Sequence, residues 1–371
     1  LIRRILFLAS LLILVAFLGP AFTAYLAATG RSLPLLRTVV GKLGGLMQGQ
    51  RTEQMTLDVG VTPDSARLTG TVTLTVRSLD DGRQRFYFLL NDGLRVHSVR
   101  VAGVTASSPS PSAYQLWLLT VVDVTVPVAK DATVQLTFDY DGPIAAGLFG
   151  AAASTVNARQ VLLGVDAFWY PCDVQSFFSA DVTLRLPSTM TVVHNGSNAT
   201  RIDRGDIQIV HWTTDRPIAG LSLVAGPYEP SSKQIDGVGY RLYLPSTVHL
   251  DRARVLDTMA AANRALESRY GPSGFKQVTM FVADDLRRAF NDGSGLLGVA
   301  LRYFRTGDYG FGIAAHEIAH NWWGGTVAEK WLSPGTGGEW IVEGFAEFSS
   351  LVAAEAAYGR DALTQRLAGE F

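Results

Sequence analysis

Between residues 51 and 235, apolar and polar side chains alternate with a period of two in one short run after another. Examples are Thr71-Val72-Thr73-Leu74-Thr75-Val76, Thr133-Val134-Gln135-Leu136-Thr137-Phe138 and Asp181-Val182-Thr183-Leu184-Arg185-Leu186. Side chains of a strand point alternately to opposite faces, so each run presents one apolar face as a strand but scatters it as a helix. Asp81-Gly82, Asn91-Asp92-Gly93, Asp141-Gly142-Pro143 and Asn195-Gly196 separate the runs as turns. No helix-period segment of useful length interrupts them. Residues 51–235 therefore read as an antiparallel β domain, a sandwich or saddle.

Near Ile235 the pattern changes. Tyr240–Leu244, Lys276–Val282 and Leu297–Phe304 read as strands. Asp251 to Tyr270 reads as a helix, with Val255, Leu256, Met259, Ala262 and Leu266 on one face and Gly271-Pro272 ending it. Phe311 to Trp323, and Trp340 to about Tyr358, read as two more. Residues 236–371 are thus expected to form an α+β domain. The 371 residues leave room for two or three domains, and an apolar content near half allows a sizeable core.

At the other end, Arg3-Arg4 precede an apolar run from Ile5 to Ala28, broken at Gly19-Pro20. Residues 1–30 are expected to be a transmembrane anchor. Its arginines would stay in the cytoplasm and the catalytic domain would lie on the extracytoplasmic side. A cleaved signal peptide, giving a secreted protein, is the alternative. Residues 31–50 read as a linker. The formal net charge of −1 offers no basis for a nucleic-acid partner. The single cysteine, Cys172, excludes an internal disulfide and a cysteine-based zinc cluster; it reads as a buried small hydrophobe.

The chemistry is concentrated at His316-Glu317-Ile318-Ala319-His320. Histidines at i and i+4 of a helix share a face and bind one Zn2+, and the glutamate after the first reaches a water on the ion without ligating it. A third ligand is needed from a following helix. Glu339, Glu343 and Glu347 lie one turn apart, so spacing alone does not choose among them. Glu343 precedes Gly344, which permits close helix approach, and Glu343 is favoured on that ground. Glu347 is positioned to accept the other ring N–H of a ligand histidine.

These residues resemble the aminopeptidase N-like (membrane alanyl aminopeptidase) family of gluzincin zinc metallopeptidases, relatives of thermolysin. The family's HExxH, W-[FW]-G and N-E-G-F-A elements match His316 to His320, Trp322-Trp323-Gly324 and Val342-Glu343-Gly344-Phe345-Ala346. The family places 18 residues between the second histidine and the glutamate; here there are 22, which the E-G-F-A context assigns to an insertion in the preceding glycine-rich loop. Tyr170-Pro171-Cys172-Asp173, Phe178 to Pro187, and His211-Trp212 through Gly226 are similar to the family's N-terminal β domain. The resemblance implies a thermolysin-like α+β catalytic domain, cut short at its C-terminal end, with the transition-state tyrosine beyond Phe371. It also implies one Zn2+ per chain held by His316, His320 and Glu343, and Glu317 as general base. The family's G-x-M-E-N strand carries a glutamate for the substrate's free amine; the stretch from Asn291 to Val299 has no glutamate there, and Asp292 is only nearby.

The expected activity is hydrolysis of a peptide or protein substrate, aminopeptidase-like, with Gly298, Val299 and Ala300 offering an edge for an extended peptide. The alternatives are a membrane-tethered endopeptidase indifferent to a free amine, and a non-catalytic peptide-binding or assembly module.

Overall fold

The structure is a computed structural model that describes residues 45–102, 110–116, 119–144, 154–173, 176–284, 286, 289–305, 309–327 and 340–370. A seven-stranded sheet comprises β1 (Gln50–Thr62), β2 (Arg67–Ser78), β3 (Arg95–Ala102), β4 (Thr133–Pro143), β5 (Ser179–Pro187), β6 (Ser197–Arg204) and β7 (Ile207–Thr213). Its order is β6-β7-β5-β1-β2-β4-β3. The three alternating runs singled out above lie in β2, β4 and β5. Val72, Leu74 and Val76 of β2 sit opposite Phe138, Leu136 and Val134 of β4, and all six are buried. A one-residue slip would turn that whole set to water, at roughly 1.5–3 kcal/mol per side chain. The sheet departs from pure antiparallel pairing at one place, where β1 runs parallel to β5. A three-stranded and a four-stranded sheet complete this part of the chain.

A second sheet has the order β8-β9-β10-β12-β11, built from β8 (Tyr228–Ile235), β9 (Val238–Pro245), β10 (Gln277–Ala283), β11 (Phe290–Asn291) and β12 (Leu296–Ala300). Four helices accompany it: α1 (Arg252–Tyr270), α2 (Phe311–Ala319), α3 (Phe345–Tyr358) and α4 (Arg360–Glu370). Asp251 caps α1 by accepting from the Arg254 amide at 3.1 Å. Small residues, Ala314 and Ala315 of α2 with Ala346, Ala353 and Ala354 of α3, share one apolar cluster and let the two helices approach closely. A separate cluster including Val224, Tyr228, Tyr243, Phe281 and Leu296 joins the two parts of the chain.

Two expectations are corrected here. The described chain is a mostly-β, multidomain protein. The α+β architecture with a membrane helix and a thermolysin-like catalytic domain is not what the fold supports. Strands run through most of the described length, and the helices gather at one end. Among the described residues no helix is long and apolar enough to cross a membrane. The longest, α1, carries Arg252, Arg254, Asp257, Arg264, Glu267 and Arg269 on 19 residues, too much charge for hydrocarbon. The expected anchor over residues 1–30 lies outside the described residues. The membrane partner and the extracytoplasmic placement drawn from that anchor therefore have no support.

Candidate metal centre and active site

Helix α2 begins after Gly310 and ends at Ala319, so His316 lies in its last turn and His320 caps it. The sequence suggested a helix through Trp323. Instead the chain turns after His320, and Gly324 takes a φ of 122°, a conformation that L side chains rarely adopt. That turn brings the Trp323 carbonyl back to within 3.0 Å of His320 Nδ1. A carbonyl only accepts, so Nδ1 of His320 carries the proton and the lone pair of a neutral ring sits on Nε2. On His316, Nδ1 lies 3.0 Å from Glu347 Oε2. Both rings are thus oriented through Nδ1, and both Nε2 atoms point toward one carboxylate.

That carboxylate is Glu343. Its Oε2 is 3.4 Å from His316 Nε2 and 3.7 Å from His320 Nε2. Glu343 lies in a widened π turn, Trp340–Gly344, immediately before α3; such turns often mark functional sites. One ligand atom from each of His316, His320 and Glu343 lies within 4.8 Å of the others. Ligands about 2.1 Å from a tetrahedral zinc would be spaced by roughly 3.4 Å. The two His–Glu separations are close to that spacing, so the donor set fits a Zn2+ ion. Glu339 lies outside the described residues.

Glu317 is buried, and its Oε2 has no hydrogen-bond partner among the described residues. An orphaned carboxylate oxygen is costly to bury, and it fits a site meant to engage a cation and water. Burial pushes the Glu317 carboxyl up to about 8, with Glu343 adding to the rise and His316 opposing it. Burial alone would lower His316, but its bonds to Glu343 and Glu347 and the Glu317 charge outweigh it and hold the ring up at about 10, so a cation bound there would displace the proton from its Nε2. His320 is held below its ordinary value, chiefly by burial against the pull of Glu343.

Sequence reasoning missed Asn291. Its Nδ2 donates to the Glu317 carbonyl at 2.8 Å and to Asn321 Oδ1 at 3.0 Å, and its Oδ1 accepts from the Gly293 amide at 2.8 Å. One side chain thus ties edge strand β11 to the end of the helix that carries Glu317. Asn91, in the turn read from the sequence, makes the same Oδ1 bond to Gly93; the reach of Asn291 to α2 has no local sequence signal. Asp292 is buried, and its carboxylate is occupied by the Ser294 amide and hydroxyl and by the Ser222 amide. The expected substrate edge at Gly298, Val299 and Ala300 lies in β12, inside the sheet. There β10 flanks it on one side, β11 covers Gly298 on the other, and all three residues are buried. None of them lines the cavity described next; β11 does.

A cavity of about 370 Å³ opens beside the cluster. His316, Glu317, His320, Glu343, Gly324 and Gly325 line one part, and Thr52, Met55, Tyr170, Cys172, Asp173 and Phe178 of the β-rich part line another. Cys172 is buried, as expected, and it also lines this cavity. A bulge in β1 between Thr52 and Gln54 releases the Thr52 amide from the ladder. That amide donates instead to Asp173 Oδ2 and Ser176 Oγ, which fixes the cavity wall.

No protein-family model matches the chain, and no curated protein matches it. Solved structures do. The M1 zinc metallopeptidase from Deinococcus radiodurans is 21% identical with a TM-score of 0.68, over 87% of this chain and 73% of that one. A Glu-to-Ala variant from the same organism, bound to a Tyr-Ser-Ala substrate, gives 20% identity, a TM-score of 0.69, and 87% and 74% coverage. A two-domain M1 zinc metallopeptidase variant bound to L-arginine gives 20%, 0.70, 87% and 74%. At this identity the likeness is one of fold, and the fold it points to is that of M1 zinc metallopeptidases.

Proposed function

We propose that this chain is a zinc-dependent peptidase of the aminopeptidase N-like kind, binding one Zn2+ through His316, His320 and Glu343, with Glu317 as general base. The observation that carries the reading is the convergence of both imidazole Nε2 atoms on Glu343 Oε2 at 3.4 and 3.7 Å, beside the unpartnered Oε2 of Glu317. A zinc ion held there lowers the pKa of water and polarises a scissile carbonyl. Glu317 Oε2 takes a proton from the attacking water and returns it to the leaving nitrogen. Glu347 and the Trp323 carbonyl keep the two rings in the tautomer that offers Nε2. Asn291 holds the Glu317 backbone in place. Glu317 itself is buried, which limits exchange of its proton with solvent.

The test is peptide hydrolysis by the purified chain before and after chelation. Activity that is lost with zinc and restored by one equivalent of it supports the reading; activity indifferent to chelation contradicts it. The aminopeptidase mode is tested by comparing free and N-acetylated peptides, with equal cleavage of both rejecting it.

A further inference from the structure

We infer that the outer edge of β6 pairs with the same edge of a second copy of this chain, antiparallel and about a two-fold axis at Ile202. Among the described strands β6 ends the seven-stranded sheet, and every one of its residues after Ser197 is exposed. The turn Gly205-Asp206 closes β6 on β7, with Arg204 opposite Ile207 and Ile202 opposite Ile209. In a two-residue hairpin the closing residues exchange both hydrogen bonds, and bonded pairs recur at every second residue. Arg204 and Ile202 therefore bond inward to β7, and the amides and carbonyls of Arg201 and Asp203 point outward. A bulge between Ser197 and Thr200, with Asn198 at a φ of 52°, leaves Thr200 to Arg204 as the regular stretch that can receive another strand.

Charges on an edge strand ordinarily repel a second edge. On β6 they complement themselves. Antiparallel pairing about Ile202 sets Arg201 opposite Asp203 of the second copy, Asp203 opposite its Arg201, and Thr200 opposite its Arg204. The outward amides and carbonyls of Arg201 and Asp203 then bond across the axis, and their side chains form unlike-charge pairs. Within one chain Arg201 Nη2 already lies 2.8 Å from Asp203 Oδ1, so the pairing closes a ring of alternating charge. A slip of two residues either way brings Arg201 against Arg201 or Asp203 against Asp203, so charge selects this register. The other side of the strand adds apolar area. Gln208, Val210 and Trp212 face the core, so Ile207 and Ile209 of β7, and Ile202 opposite Ile209, share the outer face. Ile202 is 53% exposed and Ile207 50%. Pairing lays Ile202 against Ile202 of the second copy, between the two Ile209 side chains, and removes that surface from water.

The experiment follows the mass of the full chain by sedimentation velocity from about 1 to 500 μM, because so short a pairing gives a weak dimer. Wild type is expected to pass from monomer to dimer with a Kd of about 10–100 μM. Arg201→Asp alone sets acid against acid, and Asp203→Arg alone sets base against base. Each is expected to raise the Kd at least about tenfold. An equal mixture of the two variants restores the unlike pairs, since one edge then carries only acids at these positions and the other only bases. The mixture is expected to associate within about threefold of wild type, or more tightly. It also controls for folding, because only folded edges can rescue each other. A wild-type chain that stays monomeric over the range overturns the inference. So do single variants that associate as well as wild type, and a mixture no better than its components.

Discussion

His316 and His320 face a common point for reasons that begin at single atoms. Each ring is anchored through Nδ1, one by a carboxylate and one by a backbone carbonyl, and the geometry leaves only Nε2 for a third partner. The H-E-x-x-H spacing made the pair legible in the sequence. The anchors were only partly legible: Glu347 falls at a helix spacing, but the Trp323 carbonyl arrives through a turn that no periodicity describes. Asn291 belongs with these anchors. Asn291→Ala is expected to lower kcat by roughly ten- to a hundredfold while zinc content and KM stay close to wild type; steady-state kinetics with metal analysis reads the difference.

Away from the centre, His194 is buried, stacks on Trp212 at 5.1 Å, and accepts from the Gly196 amide through Nδ1. Burial, with Arg241 nearby, pushes it down to about 4. Between pH 6.5 and 4 the unfolded chain therefore binds a proton that the folded chain refuses. The stability associated with this residue is complete above 6.5 and is lost as pH falls toward 4, by about 3 kcal/mol at most. His194→Asn keeps an acceptor and does not titrate. Thermal melts across that window are expected to show a shallower acid loss for the variant than for wild type.

At the scale of elements, the strands of the seven-stranded sheet were the most readable part of the sequence, because alternation in β2, β4 and β5 encodes both strand and buried face. Leu74 is fully buried in β2. Leu74→Ala is expected to cost about 2–5 kcal/mol, whereas Thr73→Ala on the other face should cost far less; denaturant melts of the two variants make the comparison. Helix α1 was legible through its cap, and Asp251→Ala is expected to cost about 1 kcal/mol.

Element ends were less legible. The strand expected to run to Phe304 stops at Ala300 and continues as a tight 3-10 turn, Leu301–Arg305. The helix expected from Trp340 opens as a wider turn that carries Glu343. The second difference sits beside the cavity, which Val342 and Glu343 line, and there packing against other parts of the chain overrides local preference. The inner position of β12 could not be read locally either, since strand order is set by tertiary pairing.

For the whole molecule, the cavity matters because its walls come from residues far apart in sequence. Met55 and Asp173 on one side meet His316 and Glu317 on the other, and the shared cluster around Val224, Tyr243 and Phe281 holds the two parts of the chain together. No sequence pattern announces such a cavity, since it exists only after the sheets and helices have packed. A ligand that binds only the folded centre stabilises the fold by mass action, about 2.7 kcal/mol at a hundred times its dissociation constant. Zinc is therefore expected to raise the Tm of the chain, and His316→Ala is expected to abolish that rise.

The central claim is tested most directly by Glu317→Gln, with zinc content and peptide turnover measured on the same preparation. The account predicts one zinc per chain, as in wild type, with kcat lowered about a thousandfold. A variant that binds its zinc and hydrolyses peptides at the wild-type rate would contradict it.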